Sequence, residues 1–377
     1  MPFDKHKYGE YEKELYSLTD TAALTEDRVN ALFAKLLEVL PNSGKLYKYK
    51  ALNTFHIDEL EDGYIWFCSA KKLNDNKDCT FNANFLEETE RLVKFFLTDD
   101  NFRKMLVQGL YMNLSRHSNI TPKAVEDCLN CLSQNRLKIA KYKFDKFCKD
   151  YRLSTAQQQQ LINTIAFYSD PNETVIRKSV SDLFEQIKKI RTGNQVCSLT
   201  TSYDKDSMWA YYCNNHGICI EYDFSKISTY VQKGVFINTQ KVRYSRKKKF
   251  SYCAIIQAKI LNTPEAIAEA DKIIVEQLLT KDKSWQTEDE WRVLTYDRGN
   301  ENGLKVPTNI VSAIYIDYPV LKKEKAKRII AIANKNNWNV YVRYFDEIKA
   351  EYRYDTIANI RAYTKKLKQV NMISGND

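Results

Sequence analysis

Apolar residues recur at helical spacing over residues 20–40, where Val29, Leu32, Phe33, Leu36 and Leu37 form one stripe behind Asp20 and Thr25. Either polar residue can cap that helix, and Pro41 and Gly44 end it. Beyond it the period drops to two. KLYKYKA (45–51) and YIWFCSA (64–70) read as strands, with FHIDELEDG as one or two helical turns between them. From about 86 to 191 the alternation vanishes. Leu137, Ala140, Phe144, Phe147 and Tyr151 make one helical stripe, and Ile176, Val180, Leu183, Ile187 and Ile190 another. Strand texture returns at VCSLTTS (196–202), GICIEYD (217–223), KVRYS, EWRVLTYD, AIYIDY and NVYVRYF. Helices are expected over SMWAYYCNN, over PEAIAEADKIIVEQLLT (264–280) and around Ala326, Ile329, Ile330 and Ala333. The tail from 350, EYRYDTIANIRAYTKKLKQ, reads as a basic helix.

This order predicts an α+β chain in four parts. Residues 1–44 form an N-terminal helical segment; 45–85 and 192–347 build an α/β core on a mixed or split antiparallel sheet. Residues 86–191 are a helical insertion into that core, and 348–377 a basic C-terminal tail. Hydrophobic residues at 44% and charged ones at 28% are ordinary for a folded globular protein. The net charge of +10 suits an anionic partner, nucleic acid being the commonest, and equally suits a surface that is merely kept soluble. The 9 cysteines are scattered without a disulfide framework and read as reduced thiols of a cytoplasmic protein. The start, MPFDKHKYGEYEKELY, lacks the apolar core of a secretion signal, and no run approaches the roughly 20 apolar residues of a membrane span.

Several chemistries lack their motifs. Cys128 and Cys131 have the gap of a zinc pair but no second pair, and His6, His56, His117 and His216 form no HExxH cluster, so no metal site is expected. No phosphate-cradling glycine loop and no GxSxG elbow occur. Three segments remain. In LYKYK, Leu46, Lys48 and Lys50 share one strand face and Tyr47 and Tyr49 the other, a setting for a phosphate or ribose clamp or for snorkelling edge lysines. In SLTTS, Ser198, Thr200 and Ser202 share a face, and the hydroxyls either hold a carboxylate or sugar or simply satisfy strand propensity. In KSWQTEDEWRVL, an extended chain puts Glu288, Glu290 and Arg292 on one face and Asp289 and Trp291 on the other. Two neighbouring carboxylates raise each other's proton affinity unless they are exposed and ion-paired.

The order basic residue, hydroxyl strand, Glu-x-Glu resembles that of ADP-ribosyltransferases of the Arg-Ser-Glu type. LYKYK, WFCSAKKLNDNKD, VCSLTTSYDKDSMWAYYCNNHGICIEYD and KSWQTEDEWRVL also resemble the blocks of a bacterial family known as domain of unknown function 2971, over roughly 45–85 and 192–347. Members of that family are often encoded on mobile or defence-related islands, which implies a toxin or phage-defence effector. The transferase resemblance implies NAD as consumed co-substrate and a nucleic-acid or protein acceptor. It makes Glu290 the carboxylate against the ribose and Glu288 the residue that orients or deprotonates the acceptor. Ser198 and Thr200 would fix Glu290 and line the nicotinamide pocket, Lys48 and Tyr49 would meet the dinucleotide, and Tyr212 or Trp209 would stack on nicotinamide. Lys48 stands where such transferases carry arginine, so it offers a point charge without the planar fork. Arg246 to Lys249 would steer a nucleic-acid acceptor. Two other readings stay open: a magnesium-dependent nuclease using Asp75, Asp78, Glu288 and Glu290, and a non-catalytic binding module whose aromatics are core.

Overall fold

The computed structural model describes residues 3–17, 25–73, 78–79, 84–115, 119–134, 137–169, 174–245, 251–297, 301–347 and 349–360. The chain divides into two units: Met1–Thr80, Arg191–Lys247 and Leu278–Asp377 make one, and Phe81–Ile190 with Lys248–Gln277 the other. The fold is α+β, with a mixed, largely antiparallel sheet.

The first unit holds the strands β1 (Lys45–Ala51), β2 (Tyr64–Ser69), β3 (Asn194–Thr200), β4 (Gly217–Asp223), β5 (Thr239–Lys241) and β6 (Arg243–Ser245). It continues with β7 (Thr280–Asp282), β8 (Glu290–Tyr296), β9 (Gly303–Pro307), β10 (Val311–Asp317), β11 (Asn339–Asp346) and β12 (Glu351–Thr356). The large sheet runs β12-β11-β10-β4-β1-β3-β2-β9, with β8 joining β3 to β5, and β6 pairs with β7 in a small separate sheet. Within the large sheet the β10–β11 pair is parallel and the others are antiparallel.

Alternation sorts the side chains onto two faces. Leu46, Ile65, Leu199, Ile220, Trp291 and Ile314 enter the main core with Leu32 and Leu36 of the helix Glu26–Val39 and Ile329 of the helix Glu324–Lys335. Tyr47, Tyr49, Cys219 and Tyr315 pack on the other face against Met208 and Trp209 of the helix Asp206–Cys213. Of the two candidate caps, Thr25 closes the helix Glu26–Val39 by accepting from the Arg28 amide, and Asp20 lies outside the described residues. The polar leader forms the helix Lys5–Ser17, whose buried Tyr11 donates its hydroxyl to the Thr239 carbonyl at 3.1 Å.

Two expectations change. The start of the tail is a strand, β12, because all of its residues pair with β11, from Tyr341 to Asp346. The helical unit takes in residues 248–277 besides the insertion, since Tyr252, Ile255, Ile256 and Ala270 share a core with Leu92, Phe96, Val180 and Phe184. A second cluster in that unit gathers Leu110, Leu114, Val125, Leu129 and Leu161. Among the described residues, no helix is long and apolar enough to cross a membrane.

Candidate functional site

The site begins where the sheet splits. β3 pairs with β8 from Asn194 to Thr200, but its other edge meets β1 only at Tyr47–Thr200 and β2 only at Cys68–Val196 and Ser69–Gln195. Between those contacts the strand edges are unpaired, and backbone groups there need other partners. Lys48 supplies one: its ammonium donates to the Ser198 carbonyl at 2.9 Å and approaches the Cys197 sulfur at 3.4 Å. A cavity of about 610 Å³ opens at the split, lined by Tyr47 to Ala51 from both faces of β1, by β2 and β3, and by Tyr212, Lys281, Glu288 and Glu290.

The acid pair is held differently from the extended arrangement its spacing suggested. Glu288 ends a tight helical turn, Lys283–Glu288, and Asp289 takes a left-handed conformation (φ 46°) before β8 begins at Glu290. Both carboxylates nevertheless reach one cation. Lys281 Nζ lies 2.6 Å from Glu288 Oε2 and 3.0 Å from Glu290 Oε2. Arg292 Nε donates to Glu290 Oε1 at 2.7 Å, and the same guanidinium binds Asp78. Arg292 has no exposed surface, so this buried charge depends on its two acids. The Tyr212 hydroxyl donates to Glu288 Oε1 at 2.6 Å, and the Tyr244 hydroxyl accepts from the Glu290 amide at 2.8 Å. Asp289 points elsewhere, to Thr201 at 2.6 Å and to Lys241.

The two glutamates are driven apart electrostatically. Burial alone would raise the proton affinity of Glu290, but Arg292, Lys281 and a hydrogen bond from Ser198 outweigh it, and its pKa falls below the usual carboxylate range. For Glu288 burial wins: Lys281 and Tyr212 oppose it, the Glu290 charge adds to it, and the pKa rises. Lys281 stays charged, because its acids outweigh its burial. An ionised carboxylate beside one of raised proton affinity is the arrangement that divides electrostatic and acid–base roles between two acids.

Lys48, Tyr49, Ser198, Thr200, Tyr212, Glu288 and Glu290 all line the cavity. Thr200 holds the Glu288 carbonyl at 2.5 Å, so it fixes the turn before the acid pair and leaves the Glu290 carboxylate to Ser198. Trp209 is absent from the lining; it is fully buried, and its indole N–H donates to the Tyr203 carbonyl at 2.8 Å. Of the nuclease set, Asp78 and Glu290 are already bridged by Arg292, while Asp75 lies outside the described residues, as do Arg246 to Lys249. Among the described residues, no three His, Cys, Asp or Glu side chains are grouped to hold a metal ion. Sequence reasoning missed Lys281, which sits on a strand of 3 residues, too short to show a period. It also missed the rim aromatics Tyr211 and Trp285, whose rings meet edge-on at 5.1 Å.

Residues 208–293 match the model of a family described as a protein of unknown function, DUF2971, and the match supports assigning the chain to that family. This segment includes Lys281, Glu288, Glu290 and Arg292 but neither Lys48 nor Ser198. Comparison with curated proteins gave no match, and comparison with solved structures gave none.

Proposed function

We propose that this chain, which carries that family's segment across its acid pair, cleaves the nicotinamide–ribose bond of NAD and passes ADP-ribose to a nucleic-acid or protein acceptor. One observation carries the reading: the Lys48 ammonium, the Ser198 hydroxyl strand and the Glu288–Glu290 pair, from three distant stretches, line one cavity. Their succession on a split antiparallel sheet is in keeping with an ADP-ribosyltransferase-like layout.

In the reaction the bond between ribose C1′ and the pyridinium nitrogen breaks, and its electron pair neutralises the nicotinamide ring. Positive charge develops at C1′, where an ionised carboxylate lowers the barrier, and Glu290 is the acid kept ionised. The acceptor nucleophile bonds to C1′ and gives its proton to Glu288, whose raised proton affinity makes it the better base. Lys48 meets phosphate or ribose as a point charge, and the Tyr49 and Tyr212 rings flank nicotinamide.

The test is incubation of wild type and Glu290→Gln with labelled NAD and mixed RNA, DNA and protein. Wild type is expected to release nicotinamide and label an acceptor, and the variant to do so roughly a hundredfold more slowly. Equal release by both, or none by wild type with any acceptor, removes the transferase reading. Magnesium-dependent cleavage of the nucleic acid would put the nuclease in its place. Growth inhibition on expression, relieved by Glu290→Gln, would fit a toxin or phage-defence effector.

A further inference from the structure

The cavity has a second side that the acid chemistry does not use. It is formed by β2 and the residues around it: Trp66, Cys68, Lys72 and His56, with Lys48 facing them from β1. Lys48 has a carbonyl and a thiol as hydrogen-bond partners, and Lys72 has the Asn302 side chain. Among the described residues, no carboxylate lies within ion-pair distance of either ammonium group. The acid side is the opposite case, since Lys281 and Arg292 are there saturated with carboxylates. Among the described residues, that side therefore carries two ammonium groups outside any ion pair, which favours an anionic group there.

Beside that charge stands an aromatic platform. Trp66 packs against Gly303 so closely that a β-carbon there would lie 2.3 Å from its ring. Phe55 meets the same ring edge-on at 5.5 Å, and Glu59 accepts from the Trp66 amide at 3.0 Å. An indole packed against Gly303 and Phe55 that also lines the cavity suits stacking of a flat heterocycle. We propose that the β2 side of the cavity is a subsite for an adenine nucleotide, with the base on Trp66 and the phosphates between Lys48 and Lys72. The assignment rests on the NAD reading and adds to it the place of the half of the molecule that does not react.

The experiment uses ADP, which lacks the scissile bond, so binding is read apart from catalysis. ADP, adenosine and inorganic pyrophosphate are titrated by calorimetry into wild type, Trp66→Ala and Lys72→Glu. Lys72 is exposed, so its variant is expected to fold whatever happens to Trp66→Ala. ADP should bind wild type and bind each variant roughly tenfold more weakly. Adenosine should respond to Trp66→Ala, and pyrophosphate to Lys72→Glu. Cys68, which is partly exposed, lines the same side, and ADP should protect it from alkylation in the unmodified protein. ADP binding that is absent in wild type, or unchanged in Lys72→Glu with Cys68 unprotected, overturns the subsite. Nicotinamide release with an unchanged KM for NAD in both variants would overturn it while leaving the transferase intact. ADP binding with the expected losses but no nicotinamide release would do the reverse.

Discussion

The Lys281 ammonium stands between two carboxylates, 2.6 Å from Glu288 and 3.0 Å from Glu290, and all three side chains are buried. Removing the cation leaves two like charges facing each other out of water. Lys281→Met is expected to cost roughly 3–5 kcal/mol at pH 7. The loss should shrink on acidification, because Glu288 already has a raised pKa and takes up a proton first. Urea denaturation at neutral and mildly acidic pH measures both quantities. A small loss that is the same at both would mean that the acids are solvated and independent.

Tyr212 donates to the other oxygen of Glu288 at 2.6 Å, a bond that favours the ionised form. Tyr212→Phe removes that preference and raises the Glu288 pKa further. A general base must be ionised to work, so the acidic limb of the pH profile of kcat/KM should move to higher pH. The profile separates this from a loss of nicotinamide stacking, which the phenylalanine ring preserves. An unmoved limb with reduced activity would take Glu288 out of the base role.

Lys50 and Glu59 form a buried ion pair beside the cavity. Burial costs Lys50 more than its partner returns, and its pKa falls to about 8. Glu59 is buried too, but Lys50 and His56 together outweigh that, and its pKa falls from 4.5 to about 2. A carboxylate whose folded pKa is lowered stabilises the protein above its unfolded pKa. That contribution is lost as pH falls from 4.5 toward about 2. Glu59→Gln is expected to lose roughly 3–5 kcal/mol at pH 7, by leaving Lys50 buried without its acid, and to flatten the acid limb of stability. Thermal melts from pH 2 to 7 would show whether the two curves converge at low pH, as this assignment requires.

Much of the core was legible because its strands are short runs rich in apolar, β-branched and aromatic residues: β1, β2, β4, β8 and β10 are buried over most of their length, on both faces of the sheet. The acid pair and Lys48 were legible as residue types, since Glu288-Asp289-Glu290 is unusual before a strand. What alternation cannot supply is which strand edges stay unpaired, and the cavity exists because β1 and β2 diverge along β3. β12 read as helix because it is half exposed and presents no apolar face. The turn at Asp289 was hidden for a related reason: a left-handed residue reverses which neighbours share a face, and only glycine or asparagine advertises that conformation reliably.

Gly303 offers a handle on the aromatic platform that touches no charged group. Its φ of +133° lies in a region that side chains rarely adopt, and a β-carbon would come within 2.3 Å of the Trp66 ring and 2.6 Å of the Phe67 carbonyl. The carbonyl belongs to the ladder between β2 and β9 and cannot retreat without breaking it, so the ring and the backbone must both shift. Gly303→Ala should cost roughly 1–3 kcal/mol from backbone strain, more once the indole is displaced. It should also change Trp66 fluorescence and weaken ADP more than pyrophosphate, because Lys48 keeps its place and Lys72 loses at most its hydrogen bond to Asn302, the neighbour of Gly303. A melting curve, an emission spectrum and the two titrations on one preparation decide the matter. Equal weakening of ADP and pyrophosphate would mean that the substitution disturbs the cavity as a whole and that Trp66 has no separate part in holding the base.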